Sequence, residues 1–305
     1  MARPVLPPAG THGGDGPAVA AALGVDPDDL LDLSQNLNPF APDVARLLAR
    51  QLGAVRRYPD PSAATRLLAD ALAVPPEQLL LTNGGSEAIS LVARELGGRV
   101  AAEPEFALHP REQAPADGGT DAVPVWRSDP HSPSGALAAP EQRADVWDEA
   151  FYALATGRWT ARRQDAVVVG SLTKTFACPG LRLGYVLAPD VDRFARHQPR
   201  WSVGTPALAV LPELLEAADL PRWRDGIADA RGRLVGALRA RGLHVEARDA
   251  PWVLVHDGSL REALAPEGVL VRDCTSFGLP GVTRVAVPDD EGLARLATAL
   301  DRAGR

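Results

Sequence analysis

This chain of 305 residues alternates short apolar runs with longer amphipathic patterns, and that alternation strongly limits the folds that it can adopt. The run 165–170 is apolar and β-branched, which is typical of a buried strand, and shorter runs at 78–81 and 252–256 predict further strands. Helical periodicity covers about 206–217 and 220–241. Because strands alternate with helices along the chain, we expect an α/β fold.

The composition gives no support for a nucleic-acid-binding or membrane-spanning protein. Apolar residues make up 46% and charged residues 23%, as in an ordinary globular protein. The net charge of −7 and the lack of a basic run give no support for nucleic-acid binding, and no stretch approaches the ~20 apolar residues that span a bilayer. The two cysteines show neither metal nor disulfide spacing, and no signal peptide is evident, so we expect a cytoplasmic protein without nucleic-acid or membrane partners.

Lys174 stands just after the predicted strand 165–170, in the pattern Ser171-x-x-Lys174. Arg182 follows eight residues later, between Gly180 and Gly184. A lysine at the end of a buried strand loses proton affinity and becomes a nucleophile. A pattern this short also fits a surface lysine and a structural arginine, so it needs support from the rest of the chain.

A second chemical signal is the sequence Gly84–Gly85–Ser86, where the strand at 78–81 runs into an amphipathic helix. Free backbone N–H groups at such a helix start bind phosphate, although a structural turn would have the same sequence. The segment is neither a G-x-G-x-x-G nor a Walker A loop, which counts against a nucleotide cofactor.

Single residues elsewhere suit a site for a planar, charged cofactor. Phe106 follows a predicted strand and could cover the face of a ring, and His109 could bond to a buried carboxylate. Asp148 ends another strand and needs a partner such as a protonated pyridine nitrogen. Arg272 and Arg284, after and inside strands, would bind a carboxylate or phosphate unless they form structural salt bridges.

Taken together, these segments occur in the order that is typical of fold-type I pyridoxal-phosphate (PLP) enzymes, the aspartate aminotransferase superfamily. The chain resembles that family over nearly its whole length. Within the family it is similar to histidinol-phosphate aminotransferases and to threonine-phosphate decarboxylases of cobalamin biosynthesis. The decarboxylase branch is favoured by His12–Gly13–Gly14, Asn36–Leu37–Asn38–Pro39, Arg57–Tyr58–Pro59, the 179–185 segment and Trp201–Ser202–Val203.

The resemblance implies a three-layer α/β/α large domain at 46–204, a smaller α+β domain at 205–305, and an N-terminal segment, 1–45, that packs against the small domain. It also implies that PLP is the cofactor and that Lys174 carries it covalently and acts as acid and base. Asp148, supported by His109, would keep the pyridine nitrogen protonated.

Further roles follow from the same resemblance. Phe106 would stack on the cofactor ring and Ser132 would lie beside it. Tyr58 would reach the cofactor phosphate of a neighbouring subunit, which implies a homodimer. The cofactor phosphate would be held by Gly85, Ser86, Ser171 and Arg182, and a small amino-acid substrate carrying a phosphate by His12, Asn38, Arg272 and Arg284.

The chain also departs from the family pattern. Ser132 stands where the family has asparagine, and Phe151 where most members have tyrosine. The segments 107–130 and 136–147 are too short for the elements that the family normally carries there. Three hypotheses therefore stay open: decarboxylation of threonine phosphate, transamination of the histidinol-phosphate type, and a degenerate PLP-binding protein with little catalysis.

Overall fold

The computed structural model describes residues 5–10, 13–111, 123–163 and 165–305. Twelve strands lie in these ranges: β1 (Leu31–Asp32), β2 (Leu79–Asn83), β3 (Arg99–Val100), β4 (Val125–Ser128), β5 (Val146–Asp148), β6 (Val167–Ser171), β7 (Leu183–Leu187), β8 (Val245–Ala247), β9 (Trp252–Val255), β10 (Val269–Leu270), β11 (Arg272–Asp273) and β12 (Thr283–Ala286). The α-helices of the same ranges are α1 (Gly16–Leu23), α2 (Val44–Ala49), α3 (Ser62–Leu72), α4 (Gly84–Leu96), α5 (Tyr152–Thr156), α6 (Leu172–Thr175), α7 (Asp192–Ala195), α8 (Thr205–Glu216), α9 (Leu220–Arg239), α10 (Leu260–Leu264) and α11 (Asp290–Arg302).

The larger sheet has six strands in the order β2-β7-β6-β5-β4-β3. Strand β7 runs antiparallel to both of its neighbours, and the remaining pairs are parallel. Parallel strands covered on both faces are apolar without alternation, which explains the buried valines of β6. In the register, Ser128 lies opposite Asp148 and Asp148 opposite Val169, so the carboxyl ends of β4, β5 and β6 meet at one edge.

Helices cover both faces of this sheet. Leu68 of α3 and Leu211 of α8 share one buried cluster with Leu172 and Leu183. On the other face, α4 and α7 form a second buried cluster around Trp126. This arrangement of helices, sheet and helices confirms the predicted three-layer α/β/α architecture.

The smaller sheet is antiparallel, in the order β11-β12-β9-β8. Its core contains Leu238 of α9 and Leu296 and Leu300 of α11. Strand β1 pairs in parallel with β10, which attaches the start of the chain beside this sheet. Strands β10 and β11 are separated by one residue, Val271, because Leu270 pairs with β1 and Arg272 pairs with β12.

None of the helices in the described ranges combines the length and the apolar character needed to cross a lipid bilayer.

Candidate active site

A cavity of about 330 Å³ lies where the carboxyl edge of the larger sheet faces β11 and β12. It collects most of the side chains that the sequence singles out. Ten of them line it: Gly85, Ser86, Phe106, Ser132, Asp148, Ser171, Lys174, Arg182, Arg272 and Arg284.

Lys174 lies in α6, one turn beyond the end of β6, and its Nζ donates a hydrogen bond of 3.0 Å to the carbonyl oxygen of Gln35. Burial, followed by the charges of Arg284 and Arg182, lowers the pKa of this amine from 10.5 to about 8. At pH 7.5 roughly a quarter of the amine is then neutral, compared with ~0.1% for an ordinary lysine. Lys174 is also the only lysine among the 305 residues, against 31 arginines. The structure therefore supplies one nucleophilic amine in a chain whose other basic side chains, the arginines, cannot take that role.

The start of α4 forms a cradle for an anion. Gly84 has φ +76°, and the guanidinium of Arg182 occupies the space that a side chain at Gly84 would need. A Cβ on Gly184 would lie 2.7 Å from the backbone nitrogen of Gly85. The backbone N–H groups of the first helical turn have no partners inside the helix and point the positive end of the helix dipole at this space. With Ser171 and Arg182 beside them, they suit a phosphate group.

Asp148 ends β5 and faces the cavity with its carboxylate. Its Oδ1 accepts from the backbone nitrogen of Ala150 at 2.9 Å, and its Oδ2 lies 3.1 Å from Nε2 of the buried His109. Because a carboxylate only accepts hydrogen bonds, His109 carries its proton on Nε2 and donates it to Asp148. Among the described residues Asp148 has no lysine or arginine within ion-pair distance. A cationic group in the cavity, such as a protonated ring nitrogen, would therefore complete its environment.

Glu105 is a buried carboxylate behind Asp148 and His109. The sequence did not single out Glu105. Its Oε1 accepts from the backbone nitrogen of Phe106 at 2.8 Å and from the hydroxyl of Ser128, and its Oε2 accepts from the backbone nitrogen of Ser128 at 3.0 Å. The Nδ1 atom of His109 lies 3.9 Å from Glu105 Oε1, too far for a hydrogen bond. The Ser128 hydroxyl in turn accepts from the backbone nitrogen of Ser132 at 2.9 Å. Glu105 thus holds Ser128, and through it the backbone of Ser132, beside the cavity.

Arg272 and Arg284 lie opposite each other in the register of β11 and β12. Arg284 is only 5% exposed. With the amide of Asn36 turned so that its oxygen faces the guanidinium, Arg284 donates to it from Nε at 3.0 Å and from Nη2 at 2.9 Å. Burial and the charge of Arg272 lower the pKa of Arg284 to about 9, so the guanidinium stays charged at neutral pH but at an electrostatic cost. An anion between the two arginines would relieve that cost.

Three of the predicted residues that the structure describes do not line the cavity. Asn38 uses its amide on the backbone, donating to the carbonyl of Thr175 at 2.9 Å and accepting from the nitrogen of Phe40 at 3.0 Å, so it holds the loop against α6. His109 lies behind Asp148. The ring of Tyr58 is 79% exposed and stacks on Trp201 with 4.8 Å between centroids. His12 lies outside the described residues, although the neighbouring Gly13 and Gly14 line the cavity.

Two other residues, Gln35 and Phe151, line the cavity although no site role was predicted for them. Gln35 contributes its carbonyl oxygen, which no side-chain pattern can announce. Phe151 presents a ring without a hydroxyl, 5.9 Å from Nζ of Lys174, and packs edge-on against Trp252. The sequence contains a single lysine, and this count alone would have singled out Lys174.

The residues fit PLP, which would need a lysine amine, an anion cradle and a carboxylate for its ring nitrogen. Lys174 supplies the first, the start of α4 with Ser171 and Arg182 the second, and Asp148 the third. The absence of a side chain at Gly84 leaves room for the Arg182 guanidinium, and its absence at Gly184 leaves room for the backbone of Gly84 and Gly85. Phe106 lines the same cavity and supplies an aromatic face.

Comparisons with known proteins agree with this chemistry. The family model "Aminotransferase class I and II" matches residues 123–300. The chain is 29% identical to a histidinol-phosphate aminotransferase of Natronomonas pharaonis, covering 93% of this chain and 94% of that protein. It is 32% identical to a threonine-phosphate decarboxylase of Salmonella typhimurium, covering 95% of each. The crystal structure of a histidinol-phosphate aminotransferase from Sinorhizobium meliloti, in complex with pyridoxal-5'-phosphate, superposes with a TM-score of 0.77, at 17% identity and with 94% of both chains covered, which shows the common fold. Matched over more than half of its length, the chain belongs to the class I and II aminotransferase family and is a PLP-dependent enzyme of the aminotransferase or decarboxylase type.

Proposed function

We propose that this enzyme acts on a phosphorylated amino acid and that its reaction is the decarboxylation of L-threonine O-3-phosphate, as in cobalamin biosynthesis. The observation that carries the proposal is the charge of the cavity. Three arginines, Arg182, Arg272 and Arg284, line it, whereas Asp148 is the only carboxylate among its described lining residues. Arg182 belongs to the cofactor cradle, so two guanidinium groups remain for the substrate. A carboxylate alone would use one of them, whereas the oxygens of a phosphate can accept hydrogen bonds from both.

The chemistry of this proposal divides between cofactor and protein. When bound, PLP supplies an electron sink for the pair released at the substrate's α-carbon. Asp148, fixed by the His109 hydrogen bond, keeps a proton at the ring nitrogen and so sustains that sink. Lys174, with its pKa lowered to about 8, can hold or release a proton beside the α-carbon at neutral pH.

The group that Arg284 and Arg272 hold would decide which bond breaks. If they hold the phosphate, the carboxylate is left without a charged partner and departs as CO2, and Lys174 delivers the proton that replaces it. If Arg284 holds the carboxylate of an amino acid, or if the substrate has no carboxylate on its α-carbon, as in histidinol phosphate, Lys174 removes the α-hydrogen instead and the reaction becomes a transamination. The relatives support the two candidates equally: the histidinol-phosphate aminotransferases support transamination, and the decarboxylase supports decarboxylation.

Steady-state assays separate the two reactions. The enzyme, loaded with PLP, is incubated with L-threonine O-3-phosphate, and separately with L-histidinol phosphate plus 2-oxoglutarate. Release of CO2 without consumption of a keto acid supports decarboxylation. Consumption of 2-oxoglutarate supports the aminotransferase alternative. No turnover with either substrate would contradict the phosphorylated-amino-acid proposal and favour the degenerate PLP-binding hypothesis.

We further propose that two copies assemble through the surface around Tyr58. Leu52, Val55, Tyr58 and Trp201 are all more than half exposed, at 55%, 61%, 79% and 58%. Large apolar side chains exposed on neighbouring segments are typical of protein interfaces. A Trp201→Arg variant should lower the molar mass measured by light scattering from that of a dimer to that of a monomer, and an unchanged mass would contradict the proposal. The domain limits at 45 and 204 and a cytoplasmic location stay predictions.

A further inference from the structure

Far from the cavity, two histidines and a glutamate lie on one side of the outer strand of the smaller sheet. His244 directly precedes β8 and His256 directly follows β9, and the backbone nitrogen of His256 donates to the carbonyl of His244 at 3.0 Å. The β ladder therefore extends to these two residues, which places them opposite each other. Glu246 is two residues beyond His244 along β8, so the pleat brings both side chains to the same face.

The three side chains are already gathered. The imidazole rings of His244 and His256 stack with 4.4 Å between centroids and 19° between planes. Nε2 of His256 lies 2.6 Å from Oε1 of Glu246. One ligand atom from each residue lies within 4.8 Å of the other two, and no other group of three histidine, cysteine or acidic side chains in the described part of the chain meets this condition.

These distances are close to those of a metal centre. Zinc binds nitrogen and carboxylate oxygen at ~2.0–2.2 Å in a tetrahedron, so its ligand atoms lie about 3.3 Å apart. All three side chains are exposed, so small side-chain rotations can bring them together without moving the core. Two imidazoles and one carboxylate suit borderline divalent ions such as Zn²⁺, Co²⁺, Ni²⁺ and Cu²⁺. Mg²⁺ and Ca²⁺ prefer oxygen ligands throughout.

A second histidine–glutamate pair shows what an ordinary surface contact looks like in this chain. His197 lies 2.8 Å from Glu95, but Glu95 also pairs with Arg196, whose positive charge repels a cation. Glu246, by contrast, has no arginine or lysine within ion-pair distance among the described residues. The cluster on β8 and β9 therefore differs from that pair in having a second imidazole and no competing cation.

We propose that His244, Glu246 and His256 bind one divalent transition-metal ion of the zinc class, with water completing its coordination. The ion would join the edge strand β8 to β9 from the solvent side. Because the folded hairpin presents all three ligands at once and the unfolded chain does not, binding would also stabilise the fold.

Calorimetric titration with Zn²⁺ tests this proposal on PLP-loaded enzyme that carries no affinity tag and has been treated with a chelator. His244→Gln and His256→Gln are compared with the matched control His197→Gln, which removes an imidazole from the other pair. We expect one ion per chain in the wild type and in the control, and affinity at least about tenfold weaker in the two cluster variants, since even outer-sphere partners are worth that much. Zn²⁺ should raise the Tm of the wild type and the control but not of the cluster variants.

Two results would overturn the proposal. The first is the absence of saturable Zn²⁺ binding by the wild type. The second is unchanged affinity in His244→Gln and His256→Gln, which would assign the bound ion to other groups such as the cofactor phosphate. Since none of the three residues lines the cavity, neither result depends on which reaction the enzyme catalyses.

Discussion

Replacing Lys174 by methionine should stabilise the cofactor-free protein at neutral pH. The wild-type amine is protonated in the unfolded chain with its ordinary pKa of 10.5, but burial and the nearby arginines lower the pKa to about 8 in the folded protein. The unfolded state therefore binds the proton more tightly. Below pH 8 this lysine costs stability, and the cost is relieved as the pH rises from about 8 to 10.5.

The magnitude follows from the size of the shift. Two and a half pKa units correspond to roughly 3 kcal/mol, at about 1.4 kcal/mol for each unit. Methionine also removes the hydrogen bond to the carbonyl of Gln35, which offsets about 1 kcal/mol. We therefore expect the free energy of unfolding of Lys174→Met to exceed that of the wild type by roughly 2 kcal/mol at pH 7. The gain should vanish near pH ~10, where most of the penalty in the wild type has been relieved.

Urea denaturation of the cofactor-free proteins at pH 7 and pH 10 measures this difference. Lys174→Gln is the matched control, because its side chain carries no charge at either pH and its stability relative to Lys174→Met should not change over this range. A Lys174→Met protein that is less stable than the wild type at pH 7 would refute the reasoning. So would a gain of equal size at both pH values, because it would mean that the folded and unfolded pKa values of the amine are the same.

Three further perturbations test the surroundings of the amine. Gly184→Ala should cost about 1–3 kcal/mol of stability and weaken PLP retention, because its Cβ would press on the backbone of the cradle; Gly180→Ala, whose Cβ meets nothing within 4 Å, should change neither quantity in denaturation and dialysis experiments. Asp148→Asn should leave the fold intact but lower kcat by about 10²-fold or more, since it cannot sustain a proton at the ring nitrogen, and unchanged kcat would exclude that role. Glu105→Gln should cost about 1–3 kcal/mol and shift the side-chain ¹⁵N resonances of the adjacent imidazole, whereas Glu141→Gln, on the surface, should do neither.

The sequence predicted those cavity residues whose position depends only on the strand or helix to which they belong. Lys174 follows a buried strand and Gly85 opens a helix after another, and both positions can be inferred from local patterns. Parallel strands then bring such ends to one edge without further information. Ordered motifs of this kind also carried the family resemblance, which the family match and the relatives confirm.

Roles that depend on a distant partner could not be inferred in this way. Glu105 matters because Ser128, 23 residues away, donates to it twice, and that contact exists only once β4 lies beside β3. Asn38 shows the converse case. A polar side chain in a loop near a site suggests a ligand, but backbone groups in the same loop compete for it, and here Thr175 and Phe40 take both ends of its amide.

The shortened central region bears on whether the enzyme is active. Between Leu108 and Ser128, and again between Ser132 and Asp148, no described residue lines the cavity. The segment 107–130 contains β4, and the segment 136–147 connects β4 to β5. The amine of Lys174, the anion cradle at Gly85 and the carboxylate of Asp148 lie outside both segments. Shortening of the two segments therefore leaves the amine, the anion cradle and the carboxylate in place, which favours a working enzyme over a degenerate one.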